Sequence, residues 1–564
     1  MTTPNSTPAT APSPTTPPTL RQILSQLTPR SVITGFVLSI VLCGVNSYLT
    51  LKAGVIEEGP IISALIFIAL FGALKQRVST TEAVFVATMG SAGGSFGFLA
   101  NLFTAYHMVG IHLETWQMIA FAFSTGAISI LMAIPFYQLF IVKEELAWPV
   151  GQACANVIKT TVSSDDTRQG KVILGFSLAF FAILLLQGRG WAPEDLPLFV
   201  VGAAGVGIAL SPFLISAGYL VGIRVGAGFV TASVVLLIIA KYTDKPAAPH
   251  RFFWPGVAFL IASGITSLAL KWRTTVDAIR SLKNLGSSND EDAILSGKWL
   301  IILLAVFAVI VVLVMNIGFG IALYLGTILV LVGPTLLNLI ATRAMGETTF
   351  NPIRVMGILL QGVTALLGGN TLGVNLTGAG VVAGGSNQTA ILDQDLYTGR
   401  KLGVRPRVQV LLQAIVLPFI AVVSVLVFQL IARTNDLSID SDKLNAPVAK
   451  AWAGFVLLLA GGKLPPNAIN MMIFAGIAGI VLALLDTTPL RKYLPHPTGI
   501  GIGLILAIPY SVAFFVGALL FWAIGKYLKV SESTLNSVAA AGILGEGLGG
   551  IISGALKAMG IFPM

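Results

Sequence analysis

The sequence predicts an all-α polytopic membrane protein with about 14–16 transmembrane helices, arranged in two pseudo-repeated halves that contain broken or re-entrant helices. Three observations carry that prediction. The 564 residues are 55% hydrophobic and only 10% charged, with mean hydropathy +0.88, whereas a soluble domain carries roughly 25% charge. Apolar runs long enough to cross a bilayer recur along the whole chain. A small-residue signature, Ala92-Gly93-Gly94-Ser95, returns 291 residues later as Ala383-Gly384-Gly385-Ser386, close to half the chain length. Duplicated halves are the usual architecture of secondary transporters.

Residues 1–20 are dominated by Thr, Pro, Ser and Ala and have no apolar core. Residues 1–30 therefore read as a disordered cytoplasmic tail, not a signal peptide, and the first span is expected to be uncleaved. The N-terminal transmembrane half, 31–272, opens with spans at 31–51, 60–74, 81–106 and 115–137. Arg21, Arg30, Lys75, Arg77 and Lys143 fall on one side of these spans, and the loops at Glu57-Glu58 and from His107 to Glu114 are acidic or neutral. Basic loops face the cytoplasm, so the expected location is the cell inner membrane with a cytoplasmic N-terminus. Gly90, Gly93, Gly94 and Gly97 interrupt the third span. Residues 146–160 are short and basic at both ends, which suggests a re-entrant segment or half-helix. Spans at 172–186, 196–223, 227–240 and 252–270 complete this half, with Pro212 and Gly222 as dividers.

A polar cytoplasmic linker, 273–298, divides the chain near its middle. Trp272, Val276, Ile279 and Leu282 have the spacing of a surface helix. The C-terminal transmembrane half, 299–564, begins with spans at 299–315 and 317–340. After the stretch 356–407 come spans at 408–432, 467–485, 498–527 (bent at Pro509) and 535–561, with a short apolar segment at 451–460. The segment 433–450, with Asp436, Asp440 and Asp442, reads as external.

The stretch 356–407 is the anomaly. It carries no charge from Met356 to Leu392, yet Gly368, Gly369, Gly373, Gly378, Gly380, Gly384 and Gly385 alternate with Asn370, Asn375, Asn387 and Gln388. Glycine weakens helices and exposes backbone. Exposed backbone survives in a bilayer only inside protein or against a water-filled cavity. Broken helices at Gly93-Gly94 and at Gly384-Gly385 are thus expected to face each other near mid-membrane, with Glu546 close by. Ser95, Gln152, Asn156, Gln361, Asn370, Asn375, Ser386, Asn387 and Gln388 supply neutral donors and acceptors suited to a peptide-like solute, and Asp393 joins them as a pathway residue. The same small and polar residues also suit bonding between packed helices.

Glu546, inside Gly542-Ile543-Leu544-Gly545-Glu546-Gly547, has no basic neighbour in sequence. Intramembrane acids are functional candidates by default, so it is expected to couple protons; the alternative is a carboxylate capping a half-helix N-terminus. Glu82 is a second coupling candidate, or simply a charge at a helix start. Asp395 is expected to organise a cytoplasmic loop with Arg400, Arg405 or Arg407.

Several chemistries have no support. Cys43 and Cys154 lie in apolar sequence, and no Cys/His cluster has metal-ligand spacing. Gly545 to Gly550 fits G-x-G-x-x-G but follows no strand. No cofactor, metal site or nucleophile–His–Asp set is readable, and an enzyme is not expected. The net charge of +10 sits at span ends and gives no reason to invoke nucleic acid.

Four ordered stretches resemble the oligopeptide transporter family, which includes the yellow-stripe-like metal-chelate carriers. They are Thr81-Glu82 with Ser91-Ala92-Gly93-Gly94; Asp395-Leu396-Tyr397-Thr398-Gly399 through Pro406-Arg407 and Gln409; Ala446-Pro447 with Pro465-Pro466; and Ala540-Ala541-Gly542-Ile543-Leu544-Gly545-Glu546. Ala83 and Val84 stand where the family has asparagines, and Tyr397 where it often has lysine. Long soluble loops are absent, so the resemblance is to the compact prokaryotic branch. It implies a proton-coupled symporter of oligopeptides or peptide-like compounds, glutathione-like or metal-chelated, and a homodimer. A channel or passive facilitator for a small polar solute is the alternative reading of the same broken helices.

Overall fold

A chain this apolar must pair its backbone amides within itself, and helices do so segment by segment. The computed structural model describes residues 27–54, 59–164, 168–201, 204–242, 250–270, 272–273, 276, 294–347, 351–369, 371–439, 444–461 and 468–563. The N-terminal 26 residues, most of the linker, Asn370 and Pro465-Pro466 lie outside them.

Helices α1 (Pro29–Ala53), α2 (Pro60–Ala73) and α3 (Thr80–Phe96) open the fold, and one 3-10 turn (Gly97–Leu99) leads into α4 (Ala100–Met108). Helix α5 (Thr115–Phe136) passes into a π-helical turn (Tyr137–Lys143). Then come α6 (Pro149–Ser164), α7 (Arg168–Gly188), strands β1 (Asp195–Val201) and β2 (Ala204–Ala209), α8 (Pro212–Val221), α9 (Ile223–Tyr242) and α10 (His250–Leu270). Helices α11 (Gly297–Phe319) and α12 (Leu323–Leu331) lead through a second π-helical turn (Val332–Leu337) into α13 (Asn338–Glu347). The remainder is α14 (Ile353–Leu366), α15 (Leu372–Lys401), α16 (Pro406–Thr434), α17 (Pro447–Leu459), α18 (Ala468–Leu485), α19 (Pro497–Gly503), α20 (Ile508–Tyr527) and α21 (Glu532–Ala558).

Among the described residues, ten helices, some counted with the turns that continue them, are long and apolar enough to cross a membrane. The pair α8 and α9, bent by 118° at their junction, makes an eleventh, and four further apolar helices are shorter than 18 residues. The ten or eleven spans supplied by length and composition are fewer than the 14–16 read from the sequence, because several apolar segments form helices shorter than 18 residues. The lipid-facing character is plain on α11 and α18, where Ile301, Ile317, Ile473 and Phe474 are exposed. Helices from both sides of the linker pack on one another: α21 lies against α7, α8 and α1, and α10 against α18.

Local chemistry sets the helix ends. The Thr28 side chain accepts from Ser31 N, Pro29 fills the first turn, and α1 stops at Gly54 in the left-handed region (φ 70°). Helix α3 starts with a capping box: Ser79 accepts from Glu82 N, and Glu82 accepts from Ser79 N.

Helix α15 is the centre of the molecule. It packs against α3, α4, α5, α6, α13, α14, α16 and α17. It also corrects a sequence expectation: Gly384-Gly385 do not break the helix, which runs continuously from Leu372 to Lys401. The interruption falls at 367–371, where Gly368 has φ 96°. Gly93-Gly94 likewise lie inside α3, and the irregular turn begins only at Gly97. The glycines serve close approach instead. A Cβ on Gly384 would sit 2.5 Å from Thr125 Oγ1, one on Gly378 2.6 Å from Thr364 Oγ1, and one on Gly93 1.9 Å from the Ser39 carbonyl oxygen of α1. Small residues let membrane helices draw together in this way.

The Gly93 crossing gives a direct expectation. Gly93→Val should destabilise the fold by roughly 1–3 kcal/mol or more, because a backbone carbonyl has nowhere to go. Gly175→Val, where a Cβ meets nothing within 4 Å, should melt near the parent temperature. Thermal unfolding of the two purified variants in detergent checks this; equal melting would contradict the close crossing.

A second correction concerns 196–223, read from the sequence as a span. Here β1 and β2 form an antiparallel hairpin, pairing Asp195 with Ala209 and Leu196 with Ile208, before the ten-residue α8. Pro193 and Pro197 oppose a helix, and Val200, Val201, Val206 and Ile208 favour a strand. The 317–340 span also shifts, because α11 ends at Phe319 and the crossing runs Leu323–Glu347. Residues 146–160 fall mainly in α6, a short amphipathic helix: Gly151, Cys154, Ala155 and Ile158 are buried, and Asn156, Lys159 and Thr160 are exposed.

Candidate functional site

Helix α14 is apolar except for Arg354, Gln361 and Thr364. Its first turn, with α10, α17 and α19, encloses a cavity of about 220 Å³. Trp452 and aliphatic side chains wall the cavity, and Ser263, Asn351, Arg354, Asp486 and His496 bring polar groups to it. The Arg354 guanidinium donates to the Gly54 carbonyl oxygen at the end of α1. No carboxylate pairs with it among the described residues. Asp486 instead pairs with Arg224 of α9. One cavity thus holds a cation open to an anionic group and, elsewhere on its wall, a carboxylate.

From that cavity a polar seam runs between α3, α15 and α16. Asn351 Nδ2 donates to Asn387 Oδ1 (3.4 Å), and Asn387 Nδ2 donates to the Ser95 carbonyl (3.0 Å). Ser95 Oγ donates to Gln388 Oε1, and Gln388 Nε2 to Gln413 Oε1 (2.6 Å). Gln413 Nε2 donates to the Thr88 carbonyl (3.2 Å) and to Asp395 Oδ2 (3.3 Å), which also accepts from Ser91 Oγ. Gln409 Nε2 donates to Thr88 Oγ1 and to the Asp395 carbonyl, both at 2.8 Å. The two small-residue segments around Gly93-Gly94 and Gly384-Gly385 are therefore neighbours, as the sequence led one to expect, though as packed helices and not as breaks. Most of these buried amides are satisfied, as buried polar groups usually are, but Asn351 Oδ1 and Gln409 Oε1 have no hydrogen-bond partner among the described residues.

Other sequence candidates lie at different places. Gln361 Nε2 donates to the Trp452 carbonyl (3.3 Å), beside the cavity wall. Asn375 sits near the α14–α15 turn with Oδ1 unpaired. Gln152 and Asn156 are on α6, where Gln152 bonds Asn156 (3.1 Å) and accepts from Tyr397 OH (3.1 Å). Ser386 is within α15, but its side chain falls outside the description, as does all of Asn370. Asp395 is buried and turned into the seam, Arg400 is exposed, and Arg405 and Arg407 are half-buried at the start of α16.

The two proposed coupling acids are both heavily engaged. Glu82 accepts from Arg30 Nε and Nη2 (both 2.6 Å), Thr28 Oγ1 (2.6 Å), and Ser79 N and Oγ (3.0 and 3.1 Å). It is the cap of α3 and its tie to α1. Glu546 is fully buried and forms an ion pair with Lys52 Nζ at 2.6 Å. It also accepts from Ser211 Oγ (2.7 and 2.8 Å) and Phe213 N (2.9 Å) at the N-terminus of α8. Of the two sequence readings, the carboxylate on a half-helix N-terminus describes its geometry. Helix α1 packs against both its helix and that of the seam, Gly547 lying against Val45 and Gly97 against Asn46 and Ser47, but none of the hydrogen bonds of Glu546 joins the seam. Asp393, by contrast, is fully buried with neither carboxylate oxygen hydrogen-bonded.

Sequence reading missed Lys52, Asn351, Arg354 and Gln413. Lys52 pairs across 494 positions, beyond any local pattern. Arg354 was legible in principle, as a lone cation two residues before the uncharged stretch.

A family model for OPT oligopeptide transporter proteins matches residues 26–557. The chain is 29% identical over 234 residues to a candidate oligopeptide transporter of Saccharomyces cerevisiae, covering 38% of this chain and 31% of the relative. It is 22% identical over 631 aligned positions to a metal-nicotianamine transporter of Arabidopsis thaliana, covering 97% of this chain and 93% of that one. A candidate oligopeptide transporter of Haemophilus influenzae is 27% identical over 235 residues, 41% of this chain and 36% of its own length. The match thus spans about a third of the yeast and bacterial relatives and nearly all of the plant one. The family comprises membrane transporters and not enzymes, and this chain belongs to the OPT oligopeptide transporter family.

Proposed function

We propose that this protein is a secondary active transporter that carries a peptide-like solute together with protons across the cell inner membrane, with its N-terminus in the cytoplasm. The observation that carries the reading is the cavity at Arg354. A fixed cation without a carboxylate partner, at the edge of an apolar chamber, suits the carboxylate of a small zwitterion. Asn351 Oδ1, buried without a hydrogen-bond partner on the same wall, suits its amine. The volume of about 220 Å³ lies below the roughly 300–1,000 Å³ of common ligand pockets, so the solute is small or the chamber widens during the cycle. The polar seam from Asn351 to Asp395 supplies a route of amides and hydroxyls away from the chamber. The names of the relatives support oligopeptides and metal-nicotianamine chelates as solutes to test, and glutathione joins them as a small peptide.

Proteoliposome uptake tests the reading. Purified protein is assayed with di-, tri- and tetrapeptides, glutathione and a metal chelate. Saturable uptake and counterflow of at least one member are expected. Saturable uptake driven by an imposed pH gradient supports active transport; uptake without any gradient dependence would make the protein a passive facilitator.

A further inference from the structure

We propose that Asp393, held between α15 and α13, is the group that binds and releases the coupled proton. The inference rests on the transporter reading above and assigns its coupling step to a residue.

The four buried acids among the described residues divide sharply. Glu82, Asp395 and Glu546 each accept several hydrogen bonds. Asp393 accepts none, although its exposure is 0%. A charged carboxylate left in that state costs far more than a neutral one. It is therefore stable there as the acid and acquires charge only when the surroundings open to water or a cation reaches it.

Acceptors for the acid's O–H stand ready. Helix α13 and the π-turn before it run parallel to α15 in a steady register. Pro334 lies against Gly385, and Asn338 Nδ2 donates to Thr389 Oγ1 at 2.7 Å, 51 positions apart. One turn further, the same offset sets Thr342 opposite Asp393. Asn338 Oδ1 and Thr342 Oγ1 are both buried and unpaired. A small inward movement of α13 gives the protonated carboxyl an acceptor, so Asn338 and Thr342 are positioning residues.

The elements flanking this spot are the two π-helical turns, Tyr137–Lys143 and Val332–Leu337, both packed on α15. Each is associated with a proline, Pro135 or Pro334, that lacks the N–H for an α-helical bond. Such turns are frequent at functional sites. Asp393 is six residues from Asn387, roughly 9 Å along the helix at 1.5 Å per residue, so it is close to the seam that reaches the cavity.

No other charge binds it. On α15, Asp395 is held by Ser91 and Gln413, Tyr397 donates to Gln152, and Arg400 and Lys401 occupy the exposed end. Glu82 of α3 pairs with Arg30, Arg343 of α13 pairs with Glu144 and Glu347, and Arg354 of α14 donates to Gly54. Helix α5 carries no ionisable side chain. The remaining titratable groups are Tyr106 and His107 on α4, Tyr137 and Lys143 on the first π-turn, Cys154 and Lys159 on α6, Lys298 on α11, Tyr324 on α12, Arg407 and Arg433 on α16, and Lys450 on α17. None of them is within hydrogen-bond reach of either Asp393 oxygen.

Two readouts test the assignment. The first needs no solute. Infrared spectra of the purified protein at neutral pH should contain a protonated-carboxyl stretch that shifts in D₂O and is missing from Asp393→Asn. A band that persists in the variant overturns the proposal. The second uses the panel peptide that the parent protein exchanges. With one proton per solute, a gradient of one pH unit supports up to about tenfold accumulation. Asp393→Asn should bring accumulation to about onefold, a loss much larger than its loss of counterflow, and Asp393→Glu should restore part of it. Retained pH-driven accumulation in Asp393→Asn, or accumulation driven in the parent by a sodium gradient and not by a pH gradient, overturns the assignment. Absence of counterflow in the parent for every panel member defeats the transporter reading instead, and the infrared result still judges Asp393.

Discussion

Lys52→Met is expected to lower the stability of the protein by about 3–5 kcal/mol, the usual cost of removing one partner from a buried ion pair. Glu546 is fully buried, and the Lys52 side chain is nearly so. The pair joins α1 to α21 and, through Ser211 and Phe213, to the N-terminus of α8. Without Lys52, Glu546 keeps two donors but loses its counter-charge. Replacing both members by apolar residues of similar volume removes the uncompensated charge, so Lys52→Met with Glu546→Leu should be closer to the parent than either single change. Thermal unfolding of the three variants in detergent measures this. Additive losses would contradict a coupled pair, as would a single change without effect.

Arg354→Gln is expected to reduce uptake efficiency on the order of a hundredfold, equivalent to about 2.8 kcal/mol. The effect follows from the loss of the open cation on the cavity wall. The same change should remove discrimination between a peptide and its C-terminal amide, because only the former presents a carboxylate. Arg354→Lys should fall between, keeping charge but losing the planar fork. Competition of acid and amide forms in the uptake assay gives the comparison. If Arg354→Gln still prefers the free acid, the carboxylate binds elsewhere. The melting temperature must accompany the assay, since Arg354 also bonds Gly54.

The membrane class and the family were legible because they rest on quantities the sequence displays directly: charge content, run length and ordered motifs. The meeting of the two Ala-Gly-Gly-Ser segments was legible too, and Ser95 does bond Gln388. What the glycines do was misread. Glycine permits both a broken helix and a crowded one, and only the neighbours decide. Thr125 against Gly384 and Ser39 against Gly93 decide for crowding. The hairpin at 195–209 was hidden because a short apolar run looks alike as strand or helix segment. Glu546 looked unpartnered only because Lys52 is 494 positions away. Asp393 was singled out by type and position, but its lack of any donor became visible only with every neighbouring side chain in place.

The claim that organises the rest is that solute binds in the chamber beside Arg354. Ser267, half-buried on its wall, offers the most direct test, because the natural Cys43 and Cys154 are both buried. In Ser267→Cys, a water-soluble thiol reagent should modify the new cysteine, and the transported peptide should slow that reaction. Thr160→Cys, on the exposed face of α6, should react at the same rate with or without peptide. Protection at Ser267→Cys alone is the result expected; equal rates with and without a peptide that the same variant transports would contradict the assignment of the chamber.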